Sequence, residues 1–259
     1  MNTSVNNTED ILVIQDLTKS FETTAVLKGL SLTLKKGENL VILGKSGTGK
    51  SVLIKCIVRL LNADSGSIKV LGEEITTLKN EELNEVRRKI GFLFQSGALY
   101  DSMTVRENLE FPLKRIFKNL SKKEMEEKVK TALENVGLPD AIDKMPSELS
   151  GGMRKRISLA RTIIVDPEIM LYDEPTTGLD PVTSHEISLL INEIQEKYKT
   201  SSIIITHDIE CAKTVANRII MLQEGEVYKE GMLADFENSD DELVKSYFKS
   251  QNIRNTKTI

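Results

Sequence analysis

Asn39-Leu40-Val41-Ile42-Leu43-Gly44-Lys45-Ser46-Gly47-Thr48-Gly49-Lys50-Ser51 runs from an apolar stretch into a glycine-rich turn that ends in Lys-Ser. The unbroken run Leu40 to Leu43 suits a strand buried on both faces at the centre of a parallel sheet. Gly44 to Ser51 then fits GxxxxGK[ST]. In that pattern the loop amides and the positive end of the next helix surround phosphates. Lys50 reaches the β- and γ-phosphates, and the Ser51 hydroxyl ligates Mg²⁺. Val52, Leu53, Ile54, Ile57, Val58 and Leu61 follow at helical spacing, so strand, loop and helix are all present. A chance glycine-rich turn explains none of that context. Gly44, Lys45, Ser46, Gly47, Thr48, Gly49, Lys50 and Ser51 are the expected phosphate-binding residues.

Leu149-Ser150-Gly151-Gly152-Met153 offers a second such turn ahead of Met153 to Val165, a helix with Ile157, Ala160 and Ile164 on its apolar side. Glycines let backbone amides approach an anion, and the Ser150 hydroxyl adds a donor. Alone, this string reads as an ordinary helix N-cap. Beside a complete P-loop it asks for a phosphate brought by another molecule. Arg154-Lys155-Arg156 reads as a solvated basic face.

Ile169-Met170-Leu171-Tyr172-Asp173-Glu174-Pro175 is a buried strand ending in two acids. Paired acids at a strand end are more often a solvated turn, but after a P-loop core strand they gain roles. Asp173 is the candidate for the Mg²⁺ shell and Glu174 for a general base on water. His207 follows Ile203 to Thr206 at a strand's carboxyl end, where ligands collect in parallel sheets. His185, the other histidine, sits among polar helix residues and reads as surface. Gln95 ends the apolar strand Ile90 to Phe94, and its amide suits water or Mg²⁺.

The chain has 259 residues, 39% hydrophobic and 29% charged, with net charge -4. That composition predicts one compact α/β unit rather than disorder, and it provides no general pull toward nucleic acid or an anionic membrane. Residues 1–10 are polar and lack the form of a secretory signal, which places the chain in the cytoplasm. No segment approaches the roughly 18 apolar residues of a membrane span. Cys56 and Cys211 read as buried, reduced thiols. Strand-sized runs at Ile11 to Ile14, Leu30 to Leu34, Ile68 to Val70, Ile169 to Tyr172, Ile203 to Thr206 and Ile219 to Leu222 alternate with helical stretches, predicting a mostly parallel sheet. Residues 96–165 read as a helical lobe in which Ser121 and Glu124 form a capping box. Residues 237–259 read as a C-terminal extension. There Ser239 and Glu242 predict another box, and Leu243, Val244, Tyr247 and Phe248 an amphipathic helix that reaches a partner subunit or packs on its own domain.

In this arrangement residues 11–236 resemble the nucleotide-binding domain of an ABC transporter. Gly44 to Ser51 is similar to Walker A, Ile169 to Asp173 to Walker B, and Leu149 to Met153 to the signature. Gln95 looks like the Q-loop, Thr177-Gly178-Leu179-Asp180 the D-loop and His207 the switch histidine. The resemblance implies an α/β P-loop NTPase fold with an N-terminal antiparallel β region and a signature-bearing helical lobe. It implies ATP hydrolysis with Mg²⁺ held by Ser51, Gln95 and Asp173. It also implies a homodimer in which Ser150, Gly151 and Gly152 touch the partner's γ-phosphate, with Asp180 of the D-loop among the nucleotide-binding residues and Phe21 stacked on adenine. A transmembrane permease would hold the chain at the cytoplasmic face of the inner membrane. Within the family, Ser46 to Leu53, Phe94 to Met103 and Leu149 to Arg156, with Met153 where most signatures carry Gln, are similar to the ATPase of Mla and Mce systems, implying phospholipid cargo and an Mce-domain partner. An importer for amino acids or metal ions, a soluble ABC ATPase, and an unrelated P-loop GTPase or kinase are the alternatives.

Overall fold

A computed structural model of the chain describes residues 9–255, with side chains to residue 248. Expectations for residues 1–8, 256–259 and the side chains after 248 lie outside the described residues. The chain opens with β1 (Asp10–Phe21) and β2 (Thr24–Lys35), then β3 (Asn39–Leu43), α1 (Lys50–Ile57), β4 (Ser65–Val70) and β5 (Glu73–Glu74). Next come α2 (Asn80–Arg88), β6 (Ile90–Leu93), and the lobe helices α3 (Val105–Ile116), α4 (Lys122–Asn135) and α5 (Gly151–Ile163). The remainder is β7 (Ile169–Asp173), α6 (Pro181–Tyr198), β8 (Ser201–Thr206), α7 (Ile209–Val215), β9 (Arg218–Gln223), β10 (Glu226–Gly231), α8 (Leu233–Glu237) and α9 (Glu242–Asn255).

Two sheets result. One is antiparallel, in the order β2-β1-β4-β5; the other has the order β10-β9-β3-β8-β7-β6. In the larger sheet β9, β3, β8, β7 and β6 are parallel, and β10 closes the edge antiparallel to β9. The predicted α/β architecture, with its antiparallel region and helical lobe, is the one observed.

β3 shows why an unbroken apolar run belongs here. Side chains alternate across a strand. Val41 and Leu43 enter the core shared with the lobe helices, whereas Leu40 and Ile42 enter a second core with α1 and the antiparallel sheet. Each face is covered, so neither register can be polar. Fully burying one such side chain contributes about 1.5–3 kcal/mol.

β1 and β2 are longer than their apolar runs suggested. Asp16 takes φ 47° and the β1–β2 register shifts around it, so the alternation that signals a strand is broken by a bulge while pairing continues to Phe21. The Ser121 box on α4 forms as expected, with the Ser121 amide donating to Glu124 at 2.8 Å and the Glu124 amide donating to Ser121 Oγ at 3.3 Å. The Ser239–Glu242 box does not form. The Val244 amide donates instead to the Asp241 carboxylate at 3.0 Å, and Ser239 receives Lys229 Nζ at 2.8 Å. Nor does the α9 stripe face away from the chain. Val244 is fully buried, and the Phe248 ring lies 6.0 Å from that of Phe236 on α8, so this helix packs on its own domain.

Candidate nucleotide site

The Gly44 to Gly49 turn passes from β3 to α1 with Gly47 and Gly49 at φ 84° and 99°. A Cβ on Gly49 would lie 2.9 Å from the Val26 carbonyl oxygen, and one on Gly44 2.6 Å from Thr48 Oγ1. Only glycine meets both demands, left-handed backbone and close approach. Lys50 then turns back beneath the loop, its Nζ donating to the Gly44 carbonyl at 2.6 Å and the Lys45 carbonyl at 2.9 Å. Burial pushes this ammonium below its ordinary pKa, opposed by Glu174 and Asp173.

β7 delivers the two acids, and they part company. Ser51 Oγ donates to Asp173 Oδ1 at 3.1 Å. Burial raises the Asp173 pKa, while that hydrogen bond opposes the rise. Glu174 sits just past the strand at φ 52°, a left-handed conformation uncommon for a residue with a Cβ. Its amide continues the ladder to the Ile205 carbonyl at 2.9 Å. Its carboxylate gathers Thr177 Oγ1 at 3.2 Å, the His207 amide at 3.4 Å and His207 Nδ1 at 2.8 Å, with Lys50 Nζ at 4.0 Å. His207 is half-exposed, so the pair faces the opening.

A cavity of about 690 Å³ lies over these groups, lined by Lys45, Ser46, Gly47, Gly49, Lys50, Ser51, Gln95, Glu174 and His207. A volume of this size suits a nucleotide-sized ligand. Val26, Val52, Ser246 and Tyr247 complete the walls. Tyr247, 9% exposed, brings α9 against the loop, with Lys45 Nζ 5.9 Å from its ring centre. The sequence reading missed these four, along with Thr177 on Glu174. An oxygen donor set of one hydroxyl, one buried carboxylate and the Gln95 amide fits Mg²⁺, which keeps several waters and few protein ligands. Among the described residues no three His, Cys, Asp or Glu converge into an all-protein cage.

Other expected site residues lie elsewhere. Ser150 caps α5, receiving the Met153 amide at 3.2 Å, and the exposed Gly151 forms the first helical turn beside it. Asp180 spends its carboxylate on its own helix α6, receiving the Val182 and Thr183 amides at 3.1 and 3.0 Å and Thr183 Oγ1 at 2.6 Å. Phe21 sits at the β1–β2 hairpin tip, 43% exposed under Lys19 Nζ at 5.5 Å, so it is neither in the core nor among the cavity walls. The basic triplet is not one solvated face either. Arg154 is exposed and Lys155 buried, because the side of α5 opposite Ile157 packs on the turn after Gln95. Cys56 and Cys211 are buried thiols as expected, pushed up to about 11 and about 12 chiefly by burial.

A P-loop between a central parallel strand and its helix, two acids at the end of β7 two places along the same sheet, and a separate capped Ser-Gly-Gly turn define an ATP-binding cassette. A family model described as ABC transporter matches residues 27–177, more than half the chain, and the chain belongs to that family. It is similar to the methionine import ATP-binding protein MetN of Rhizobium johnstonii, 39% identical over 239 residues that span 92% of this chain and 66% of that protein. The chain thus spans just under two thirds of that relative. The probable ribonucleotide transport ATP-binding protein mkl of Mycobacterium bovis is 39% identical over 240 residues, 93% of this chain and 67% of its own length. Among solved structures, the dimeric post-hydrolysis state of the ATP-binding cassette MJ0796, bound to ADP and Pi, superposes with TM-score 0.79 and 32% identity, covering 86% of this chain and 98% of that one. Among the described residues no helix is long and apolar enough to cross a membrane.

Proposed function

We propose that this chain is the ATP-hydrolysing subunit of an ABC importer, acting as a pair of identical chains on the cytoplasmic face of the cell membrane beneath a membrane-spanning permease. The observation that carries this is the convergence of Lys50, Ser51, Gln95, Glu174 and His207 on one cavity while Ser150 to Gly152 lie on another element. Each ATP is then held between the P-loop of one chain and the Ser-Gly-Gly turn of the other. The cassette that superposes well is a dimer holding hydrolysis products, which supports the pairing.

In this reading the loop amides and Lys50 bind the triphosphate. Ser51, Asp173 and Gln95 would hold Mg²⁺, which would supply positive charge against the phosphate oxygens. Glu174 orients a water and takes its proton as the water oxygen bonds to the γ-phosphorus. The bond to the β-phosphate oxygen breaks, and ADP and phosphate leave. His207 and Thr177 hold the Glu174 carboxylate in place. Charge-assisted contacts to phosphate contribute ~1.5–3 kcal/mol each, so a few hold the pair closed until hydrolysis removes them.

For cargo, the MetN relatives favour a small solute of the amino-acid class over phospholipid. The phospholipid reading, with its Mce-domain partner, rests on Met153 and on the strings Ser46 to Leu53, Phe94 to Met103 and Leu149 to Arg156. Purifying the native complex from membranes decides between them. A solute receptor and permease support the importer, an Mce-domain protein supports lipid transport, and recovery without any membrane protein refutes both.

A further inference from the structure

The turn after Gln95 is laid along one face of α5. Lys155, Ser158 and Arg161 recur every third residue and so share that face. Lys155 Nζ donates to the Gln95 carbonyl at 2.5 Å, and Arg161 Nη1 donates to the Ala98 carbonyl at 2.7 Å. Between them Gly97 passes so close that a Cβ there would lie 2.6 Å from Ser158 Oγ. Gly97 and Ala98 both take positive φ, 79° and 51°, so the backbone bends to follow the helix. Lys155 also reaches the residue just past β7, donating to the Glu174 carbonyl at 3.4 Å.

This lysine is only 6% exposed. A buried ammonium is costly unless it is paired and hydrogen-bonded. Here two carbonyls accept from it, and Asp173 and Glu174 offset the burial that pulls its pKa down. Its position matters as much as its partners. Ser150 caps the same helix, and five residues of helix separate the two by about 7.5 Å, under two turns. A displacement of the capped turn therefore moves Lys155 as one rigid body.

We infer that Lys155 is a positioning residue coupling the two nucleotide sites of the proposed pair. It ties the helix whose Ser150 to Gly152 turn serves the partner's ATP to Gln95 and Glu174, which act on this chain's own. The inference rests on the function proposed above. Seating of the partner's phosphate by the turn draws Lys155, and through it the two carbonyls, into the geometry hydrolysis needs. The coupling is reciprocal in binding terms.

The test is steady-state hydrolysis by the full chain across ATP concentrations, comparing wild type with Lys155→Met, which keeps the stem and removes the donors and charge. A base displaced by about 1 Å costs about 10²-fold, so kcat should fall by that order. The ATP concentration for half-saturation should stay within about threefold because the P-loop is untouched, while the Hill coefficient falls from above one to one. Lys155→Arg, which restores donors, should recover both rate and cooperativity. A purely structural role would lower the melting temperature and the active fraction but leave the Hill coefficient where it was. Lost rate with unchanged cooperativity, an unchanged rate, or a wild-type Hill coefficient of one overturns the coupling. If Lys155→Met does not fold, Lys155→Gln is read by the same criteria. Wild-type protein that hydrolyses no ATP would instead remove the proposed function itself, and this role with it.

Discussion

Replacing Glu174 by Gln removes a proton acceptor and leaves its shape. The amide oxygen can still receive Thr177 Oγ1 and the His207 amide, which now lie 3.2 and 3.4 Å from Oε2. Losing a positioned general base costs ~10²–10⁴-fold in rate, or roughly 2.7–5.5 kcal/mol in the barrier at 1.36 kcal/mol per tenfold. Folding stability should barely change, because two electrostatic effects oppose each other. Lys50 loses a counter-ion 4.0 Å away, and Asp173, whose pKa Glu174 helps to raise, loses a like-charged neighbour. The volume is conserved, so no cavity term arises. Phosphate release measures the rate, chemical denaturation the stability, and size-exclusion with ATP the persistence of the pair. Hydrolysis within tenfold of wild type would refute the role given to Glu174. A large loss of stability would refute the claimed cancellation.

Three further outcomes follow from the geometry. Gly49→Ala forces a Cβ onto a residue at φ 99°, 2.9 Å from the Val26 carbonyl oxygen; urea unfolding should show a loss of at least ~1–3 kcal/mol, with weakened ATP binding. Arg218 donates to Glu38 Oε1 at 2.7 Å, to Glu38 Oε2 at 2.9 Å and to the Thr33 carbonyl at 2.7 Å, and also pairs with Glu230. Arg218→Met strands the nearly buried Glu38 and should cost about 3 kcal/mol, of which Glu38→Gln in the same chain recovers more than half by denaturant titration. Burial pushes Cys56 up to about 11 and Cys211 up to about 12, so about 0.1% or less of either is thiolate at pH 8. A chromogenic disulfide should label neither in native protein at pH 8 and both in denaturant.

The cavity was largely legible before any coordinates, because phosphate chemistry dictates residue types at fixed spacing and the flanking strands bury both faces. Lys45, Ser46, Gly47, Gly49, Lys50, Ser51 and Glu174 on its walls could be read that way, as could Asp173 held behind Ser51, and His207 by its position at a strand end. What escaped was set by packing between distant segments. Lys155 lies opposite the apolar side of α5, so its helical phase resembles a solvated position until the turn after Gln95 is laid over it. Tyr247 reaches the P-loop only because α9 folds back on the domain, and no local pattern encodes that return. Asp180 is a different case. Its signal, Asp followed by Pro181, is that of a helix cap, and the structure realises it in full. Phe21 was read from motif position alone, and nothing local showed that β1 would carry it to a hairpin tip.

The separation of the P-loop cavity from the Ser150 turn sets the dose response of a damaged copy. In the proposed pair each chain lends its cavity to one site and its turn to the other, so a chain faulty in both disables both sites. Mixed with an equal amount of intact chain and paired at random, it leaves only about one quarter of pairs whole. A fault in half the molecules then removes three quarters of the working pairs, a dominance that arises because in the proposed pair every working site is owned by two polypeptides.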